Sequence, residues 1–335
     1  DGIEIVRVGP TRRSVFQTGF LYMSAYVFSS MLWVLRQKKS WFDLSIVFFL
    51  LPCGPVATLL KMKVQTPYIV SLRGGDVPGL VPQIDLLHRV LAPFRRWVSK
   101  NATAVVANSQ SLAELAEASD DKSVAVIPNG VDTQYYQARH TDMGVESTPL
   151  RLLLVCRFHR QKLVPETIRW LAHAKQRGID FFISIVGDGP ERDAVEAAIE
   201  EVDMTELISL KGWLRKDQLL KQYQEADCFL NLSSYEGMPN TVLEAMACAL
   251  PVIVSDIPPH RGLVKHQETG YLLDLDRPEY LADQLMELAS DSGRRRAMAE
   301  AGRQLVAESY SWSAVADSYM SLFAQHQTEH LNSDA

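Results

Sequence analysis

The sequence predicts an α/β protein built as two halves, each a doubly wound parallel sheet. From Leu44 onward, short apolar runs alternate with segments of helical periodicity, a pattern typical of such sheets. The chain has 335 residues, and since about 150 residues per domain is usual, its length predicts two domains. The polar segment Gln137–Pro149 separates the two sets of runs and is the predicted join.

The strands are predicted from the apolar runs, taken in chain order. In the first half they are Leu44–Phe49, Tyr68–Leu72, Ala104–Ala107 and Val124–Ile127. In the second half they are Leu152–Cys156, Phe181–Val186, Leu207–Leu210, Cys228–Leu232, Pro251–Val254 and Tyr271–Leu273. The first domain is predicted to span residues 1–140 and the second residues 150–311. A last helix, at about residues 312–330, keeps apolar residues on one face, and we expect it to pack back on the first domain.

The composition excludes several classes of protein. Hydrophobic residues make up 47% of the chain and charged residues 22%, which excludes a disordered, collagen-like or multi-spanning membrane protein. The net charge of −6 is uneven, because residues 1–100 hold 13 Lys and Arg against 5 Asp and Glu, a balance of +8. A basic first part suits an anionic membrane surface or a phosphate-bearing substrate. No nucleic-acid recognition motif is found, so no nucleic-acid partner is expected.

The uncharged run Ser14–Leu35 is long enough to span a bilayer. Its density of Ser, Thr and Gln weakens a lipid-facing span, so the run favours a buried or membrane-apposed helix. The four cysteines lie far apart without metal-ligand spacing, which fits a reducing compartment. We therefore expect a cytoplasmic protein, peripheral on the inner face of the membrane.

The densest functional pattern is Ser233–Glu244, directly after a predicted strand. Gly237 lets the backbone approach a ligand closely, and Pro239 fits the first position of a helix. A helix N-terminus at the carboxyl end of a strand favours a phosphate group. The pattern therefore predicts an anion-binding turn.

Two carboxylates flank this turn. Glu236 precedes the predicted helix, and Glu244 lies about 7–8 Å along it from Pro239 at a rise near 1.5 Å per residue. Carboxylates accept paired hydrogen bonds from diols, which suits sugar or ribose hydroxyls. An ordinary strand–turn–helix with solvated or capping glutamates is the alternative.

A second pattern, VCRFHRQK, begins where the first strand of the second domain ends. Arg157 and Lys162 could together neutralise a diphosphate leaving group without a metal, although a solvated basic loop has the same composition. Further on, Gly187–Arg192 partly imitates a dinucleotide fingerprint, but Pro190 and Arg192 favour a tight strand–helix turn. No set of ligands with metal spacing is found, so no metal and no cofactor are predicted.

These motifs together resemble the retaining GT-B-fold glycosyltransferases of family 4. The resemblance rests on VCRFHRQK, VGDGPER, EGMPNTVLE, AMACALPVIVSD and VIPNGVD, and it covers nearly the whole chain. It implies GT-B architecture, with two Rossmann-like domains facing a cleft, a nucleotide-sugar donor on the second domain and an acceptor on the first. Transfer would keep the anomeric configuration through an oxocarbenium-like transition state.

The resemblance also implies roles for individual residues. Glu236, Arg157 and Lys162 would be catalytic, with Glu236 on the donor sugar and the two cations on the diphosphate. Glu244 would bind the ribose, and Trp213 and Leu214 would contact the base. The other residues implied in donor binding are Gly187, Gly237, Met238, Pro239, Asn240 and Thr241.

The sequence departs from the family in the first domain. The family's first strand and Gly-rich turn have no counterpart here, so we expect that domain to be incomplete. Where many members carry a His, this chain reads Ser71-Leu72-Arg73-Gly74-Gly75-Asp76, which leaves Arg73 and Asp76 as candidates on the acceptor side. The family's Gly after the lysine is Leu163 here.

The resulting expectation is a hexosyltransferase that moves a sugar to a glycan or lipid-linked acceptor in cell-surface polysaccharide biosynthesis. The alternative is a non-catalytic nucleotide-sugar-binding or partner subunit of the same fold. A third alternative is a GT-B sugar-nucleotide epimerase or phosphorylase, which would need a base or a cofactor lysine that the sequence does not assign.

Overall fold

The computed structural model describes residues 3–9, 20–37, 43–138 and 149–333. Contacts divide the chain into two compact units, Asp1–Ile127 with Gln325–Ala335, and Pro128–Ala324. Most of the predicted join Gln137–Pro149 lies outside the described residues, as does the start of the run Ser14–Leu35.

In the described part of the first unit, four parallel strands follow one another in the order β1-β2-β3-β4. Its elements are α1 (Phe20–Arg36), β1 (Ser45–Phe48), α2 (Leu50–Val64), β2 (Tyr68–Leu72), α3 (Asp85–Val90), α4 (Ala92–Asn101), β3 (Ala104–Ala107), α5 (Gln110–Asp120) and β4 (Val124–Val126). Every residue of β2 and β3 is buried, because helices cover both faces of a parallel sheet. Tyr68, Val70 and Leu72 form part of this core with residues of β3 and α5.

The described part of the uncharged run forms the helix α1. It buries Ser30 and Val34 and leaves Leu21 and Phe28 exposed. Among the described residues, none of the helices is both long enough and apolar enough to cross a membrane.

The second unit contains a six-stranded parallel sheet within the described residues, in the order β10-β9-β8-β5-β6-β7. Its strands are β5 (Leu150–Val155), β6 (Phe181–Val186), β7 (Ile208–Gly212), β8 (Cys228–Asn231), β9 (Val252–Ser255) and β10 (Gly270–Leu273). Its helices are α6 (Val164–Gln176), α7 (Arg192–Glu201), α8 (Lys216–Glu225), α9 (Asn240–Ala247), α10 (Pro258–Arg261), α11 (Tyr280–Ser290) and α12 (Ser292–Ser309). The last helix, α13 (Trp312–Ser333), begins in this unit, and its residues from Gln325 onward are grouped with the first.

Successive residues of β5 point to opposite faces of this sheet. Leu152 and Leu154 belong to one hydrophobic cluster, whereas Leu153 and Val155 belong to another. Both faces are therefore packed, which is why the strand is a nearly continuous apolar run instead of an alternating one.

The structure confirms the predicted α/β class and each of the predicted strands, with bounds that match or shift by at most two residues. One local prediction is wrong by a residue, since Pro239 caps α9 and the helix begins at Asn240. The start of α13 is tied to the second unit, where Trp312 N donates to Val131 O over 3.2 Å and the Trp312 ring packs on Gly130. Its packing on the first domain stays a prediction.

Candidate active site

The strand order of the second sheet reverses between β5 and β8. From β5 the chain runs outward through β6 and β7, and it then returns to the other side of β5 with β8, β9 and β10. In open parallel sheets, ligands bind outside the carboxyl ends of the strands at such a reversal. The loop that carries Arg157 and Lys162 follows β5, and the loop that carries Glu236 follows β8.

These two loops are bonded to each other. Ser234 N donates to Gln161 O over 2.8 Å, and the Nζ of Lys162 forms an ion pair with the Oε1 of Glu236. The side chains are largely buried, with 18% of Lys162 and 8% of Glu236 exposed. The structure thus brings together Lys162, predicted to bind the diphosphate, and Glu236, predicted to bind the sugar.

The turn after Lys162 has an unusual backbone. Arg160–Lys162 forms a short 3-10 turn closed by a 2.7 Å hydrogen bond from Lys162 N to His159 O. Leu163 then adopts the left-handed conformation, at φ 47°. Glycine adopts this conformation without strain, which is a physical reason for the family's glycine at this position. Leu163 adopts it here at some cost in backbone strain.

Arg157 is positioned by a close approach between two strand ends. Gly187, at φ 132°, lies so close to the β5 loop that a Cβ atom would be 1.8 Å from the carbonyl oxygen of Cys156. Phe158 N also donates to Asp188 O over 3.0 Å. The predicted tight turn is confirmed, and it fixes the backbone on both sides of Arg157.

Glu244 lies in α9 and is held by two tyrosines. Tyr223 Oη donates to its Oε2 over 2.8 Å, and Tyr136 also hydrogen-bonds to it. Burial raises the pKa of Glu244, while these bonds and the charge of Lys216 oppose that increase. Burial and the nearby Glu244 charge raise the pKa of both phenols, so both stay protonated and donate hydrogen bonds to the carboxylate.

The sequence did not predict Tyr136 or Tyr223. Tyr223 lies in α8, and Tyr136 lies in the second unit before β5. Nothing in their sequence spacing places them beside Glu244. Their rings pack edge to face with centroids 5.9 Å apart.

The turn between Glu236 and α9 is held by amide side chains. Asn129 N lies 3.0 Å from the Met238 sulfur, and Asn129 Nδ2 donates to Asn240 Oδ1 over 2.7 Å. Asn231 Nδ2 lies 3.4 Å from Thr241 Oγ1. The motif VIPNGVD, which contains Asn129, therefore supports the turn from Gly237 to Pro239.

Trp213 and Leu214 lie in the turn after the edge strand β7, which is separated from β5 by β6. Leu214 packs against the core, whereas 57% of Trp213 is exposed. An exposed aromatic ring can stack on a planar group such as a nucleobase.

Arg73 and Asp76 belong to the first unit. Asp76 is buried, and its carboxylate accepts hydrogen bonds from the N–H groups of Arg73, Gly74 and Leu50 at 2.8–3.0 Å. Burial raises the pKa of Asp76, and these backbone bonds partly offset the increase. The guanidinium of Arg73 lies over the Phe48 ring, 4.6 Å from its centroid. Asp76 therefore fixes the loop that carries Arg73.

Comparison with known proteins identifies the family. The model of the glycosyl transferases group 1 matches residues 138–305, and that of the glycosyl transferase 4-like domain matches residues 1–130. The chain belongs to the glycosyl transferases group 1. One relative of this glycosyltransferase is N-acetyl-alpha-D-glucosaminyl L-malate synthase of Bacillus anthracis, 24% identical over 84% of this chain and 74% of the relative.

Two further comparisons are informative. The GDP-mannose:cellobiosyl-diphosphopolyprenol alpha-mannosyltransferase of Xanthomonas oryzae pv. oryzae is 31% identical over 64% of this chain and 57% of its own. The crystal structure of HepE of Anabaena in complex with UDP and glucose has a TM-score of 0.73 at 18% identity, over 91% of this chain and 83% of that one. This likeness confirms the predicted GT-B fold of the glycosyltransferase.

Proposed function

We propose that this glycosyltransferase moves a hexose from a nucleotide-sugar donor to a glycan or lipid-linked acceptor, with retention of configuration and without a metal. The observation that carries the proposal is the ion pair of Lys162 and Glu236 at the strand reversal between β5 and β8. A cation and a carboxylate held side by side suit a ligand with a phosphate next to a polyol. A nucleotide sugar has both groups.

Each residue then has a chemical task. Arg157 and Lys162 stabilise the charge that develops on the diphosphate as the bond from the anomeric carbon to its oxygen breaks. The bonding electrons leave with the diphosphate. The acceptor hydroxyl forms the new bond on the same face and gives its proton to the departing phosphate oxygen. Glu236 binds the sugar hydroxyls and Glu244 the ribose.

The relatives suggest which donors to test first. HepE was solved with UDP and glucose, and the Xanthomonas relative is named for GDP-mannose and a diphosphopolyprenol-linked acceptor. We therefore propose a UDP- or GDP-hexose as donor and a role in cell-surface polysaccharide synthesis.

The first experiment is calorimetric titration with UDP and GDP in the presence of EDTA, followed by assay of nucleotide release from the corresponding sugars. We expect one nucleotide to bind, and Glu244→Ala to weaken that binding. Glu236→Ala and Lys162→Ala should each lower turnover by about a hundredfold or more. Lys265→Ala is the matched control, because it breaks an exposed ion pair with Glu268 at 3.3 Å. Unchanged turnover in both site variants would refute the mechanism.

Retention is tested by NMR of the new anomeric proton. An inverted product would refute that part of the proposal. Nucleotide binding without transfer to any acceptor would instead support the non-catalytic binding subunit.

A membrane-facing surface is proposed on α3 and α4. Leu86 and Val90 on α3 and Phe94 and Trp97 on α4 are exposed, and the same two helices expose Arg89, Arg96 and Lys100. Apolar side chains next to cations suit the headgroup region of an anionic bilayer, where each cation contributes about 1 kcal/mol. We propose that the protein is peripheral on a cytoplasmic membrane face through this surface.

Sedimentation with vesicles tests this surface. The protein should sediment with phosphatidylglycerol-containing vesicles at low salt and be released by high salt. Val90→Glu should prevent sedimentation, whereas Val126→Glu, which adds the same charge at another exposed site of the first unit, should not. Equal sedimentation of both variants would refute the assignment.

A further inference from the structure

His260 is a buried histidine next to the strand that adjoins β8. It lies in α10, just after β9, and none of its surface is exposed. Its Nδ1 lies 2.8 Å from the carbonyl oxygen of Ser255, the last residue of β9. A carbonyl oxygen only accepts, so Nδ1 carries the hydrogen and the imidazole is in the Nδ1–H tautomer.

Ser255 connects this histidine to the loop that carries Glu236. The Ser255 hydroxyl donates to Ser233 O over 2.6 Å and accepts from Ser233 N over 3.0 Å. Both backbone groups of Ser233 are therefore bonded to one side chain, and that side chain also lies 3.2 Å from the His260 Nδ1. We call His260, Ser255 and Ser233 the brace.

The brace holds one side of the Glu236 loop, and the other side is held by the β5 loop. Ser233 is bonded to β9, while the next residue, Ser234, is bonded to Gln161 beside Lys162. Glu236 follows only three residues after Ser233. Burial lowers the pKa of His260, the Ser255 hydrogen bond and the charge of Glu236 oppose this shift, and the charge of Lys162 adds to it.

The other ring nitrogen of His260, the buried Nε2, makes no stabilising hydrogen bond to the described residues. An unpaired nitrogen in a dry interior lowers stability, so an apolar side chain would serve better if packing were the only requirement. A requirement for the Nδ1 hydrogen bond explains why a histidine is used here.

We propose that His260 is a positioning residue for the glycosyl transfer, acting through Ser255 and Ser233 to hold Glu236 against Lys162. This inference rests on the proposed function, in which Glu236 binds the donor sugar. Displacement of a sugar-binding carboxylate by an ångström slows transfer more than it weakens nucleotide binding, because the nucleotide is held by other residues.

Three variants of the full chain test the brace. His260→Leu and Ser255→Ala remove its hydrogen bonds, whereas His260→Asn keeps an amide N–H where histidine carries Nδ1. Gln284→Leu is the matched control, because Gln284 is also buried and donates to a backbone carbonyl, that of Leu272, over 3.3 Å. We expect His260→Leu and Ser255→Ala to lower kcat by at least about tenfold and to leave the dissociation constant for the free nucleotide within about twofold. His260→Asn and Gln284→Leu should retain most of kcat.

Hydrogen exchange provides a measurement that does not need activity. The amides of Ser233 and Ser234 should exchange faster in His260→Leu than in Gln284→Leu. Unchanged exchange, or equal losses of kcat in His260→Leu and Gln284→Leu, would overturn the brace. The wild-type protein could bind a nucleotide sugar without transferring it. In that case, faster exchange in His260→Leu, together with the same ratio of nucleotide-sugar to nucleotide affinity as in the wild type, would overturn the positioning role. A chain that binds no nucleotide at all would refute the proposed function, and the positioning role with it.

Discussion

The substitution Gly187→Ala tests how the active-site backbone is built. The added Cβ would lie 1.8 Å from the Cys156 carbonyl oxygen, whereas real Cβ atoms keep at least 3.0 Å from such an atom. The two strand ends must therefore separate by more than an ångström. The carbonyl cannot rotate away cheaply, because Cys156 N is bonded to Val186 O and Phe158 N to Asp188 O.

Two costs add in this variant. A non-glycine residue at φ 132° is strained by about 1–3 kcal/mol, and overpacking of a fixed backbone costs a further ~1–3 kcal/mol. We expect a loss of about 4 kcal/mol in the free energy of unfolding, which lowers Tm by roughly 8–16 °C for a unit of this size. Because the shifted segment carries Arg157, affinity for the nucleotide diphosphate should fall as well.

Gly178→Ala separates the two costs. Gly178 also has a positive φ, of 86°, but a Cβ there would meet nothing within 4 Å. It should lose only the strain, about 1 kcal/mol, and keep nucleotide binding. Thermal unfolding followed by circular dichroism and calorimetric titration measure both variants. Equal losses of stability in the two, or unchanged nucleotide affinity in Gly187→Ala, would refute the reasoning.

Three further outcomes are expected. Arg95→Met should cost about 3–5 kcal/mol in urea unfolding because it leaves Asp120 buried without its 2.7 Å ion-pair partner, and adding Asp120→Leu should restore most of the loss. Burial lowers the pKa of His260 from 6.5 to about 4; the charge of Glu236 opposes this shift and that of Lys162 adds to it. Between these pH values the unfolded chain binds a proton that the native chain does not, so ~3 kcal/mol of the free energy of unfolding, complete above pH 6.5, is lost as the pH falls towards 4. This loss should be absent from the pH dependence of His260→Asn unfolding. Tyr223→Phe removes a hydrogen bond that partly offsets the raised pKa of Glu244, so the carboxylate should become protonated at a higher pH than in the wild type. Nucleotide affinity, measured by calorimetric titration from pH 8 to 5, should therefore begin to fall at a higher pH. An unchanged pH profile of the affinity would contradict the assignment of Glu244 to the ribose.

The sequence predicts the strands well because each buried parallel strand is a short, separate apolar run. Phe181–Val186 and Tyr68–Leu72 match their predicted bounds, and β5 starts two residues early only because Leu150 continues the buried pattern beyond Arg151. The predicted start of α9 was wrong by one residue, because proline is tolerated both in the first helical position and just before it.

The spatial order of the strands could not be predicted, and the active site depends on it. Nothing in the apolar runs says that β8 lies beside β5, so the sequence suggested that Lys162 and Glu236 serve one ligand but not that they touch. Tyr223 and His260 were missed for the same reason, because a single tyrosine or histidine on an amphipathic segment has no spacing that distinguishes it from a core residue.

The resting ion pair affects how substitutions at the site are interpreted. Glu236 is almost fully buried, and a buried carboxylate without a partner is costly, so Lys162 stabilises its neighbour as well as a phosphate. An ammonium group has three N–H donors and can bond the carboxylate and a diphosphate oxygen at the same time. Lys162→Ala therefore removes two interactions at once, and its effect on turnover exceeds the value of the phosphate contact alone. Comparison of Lys162→Ala made in the wild type with the same change made in Glu236→Gln isolates the carboxylate interaction, because a neutral amide no longer needs the cation.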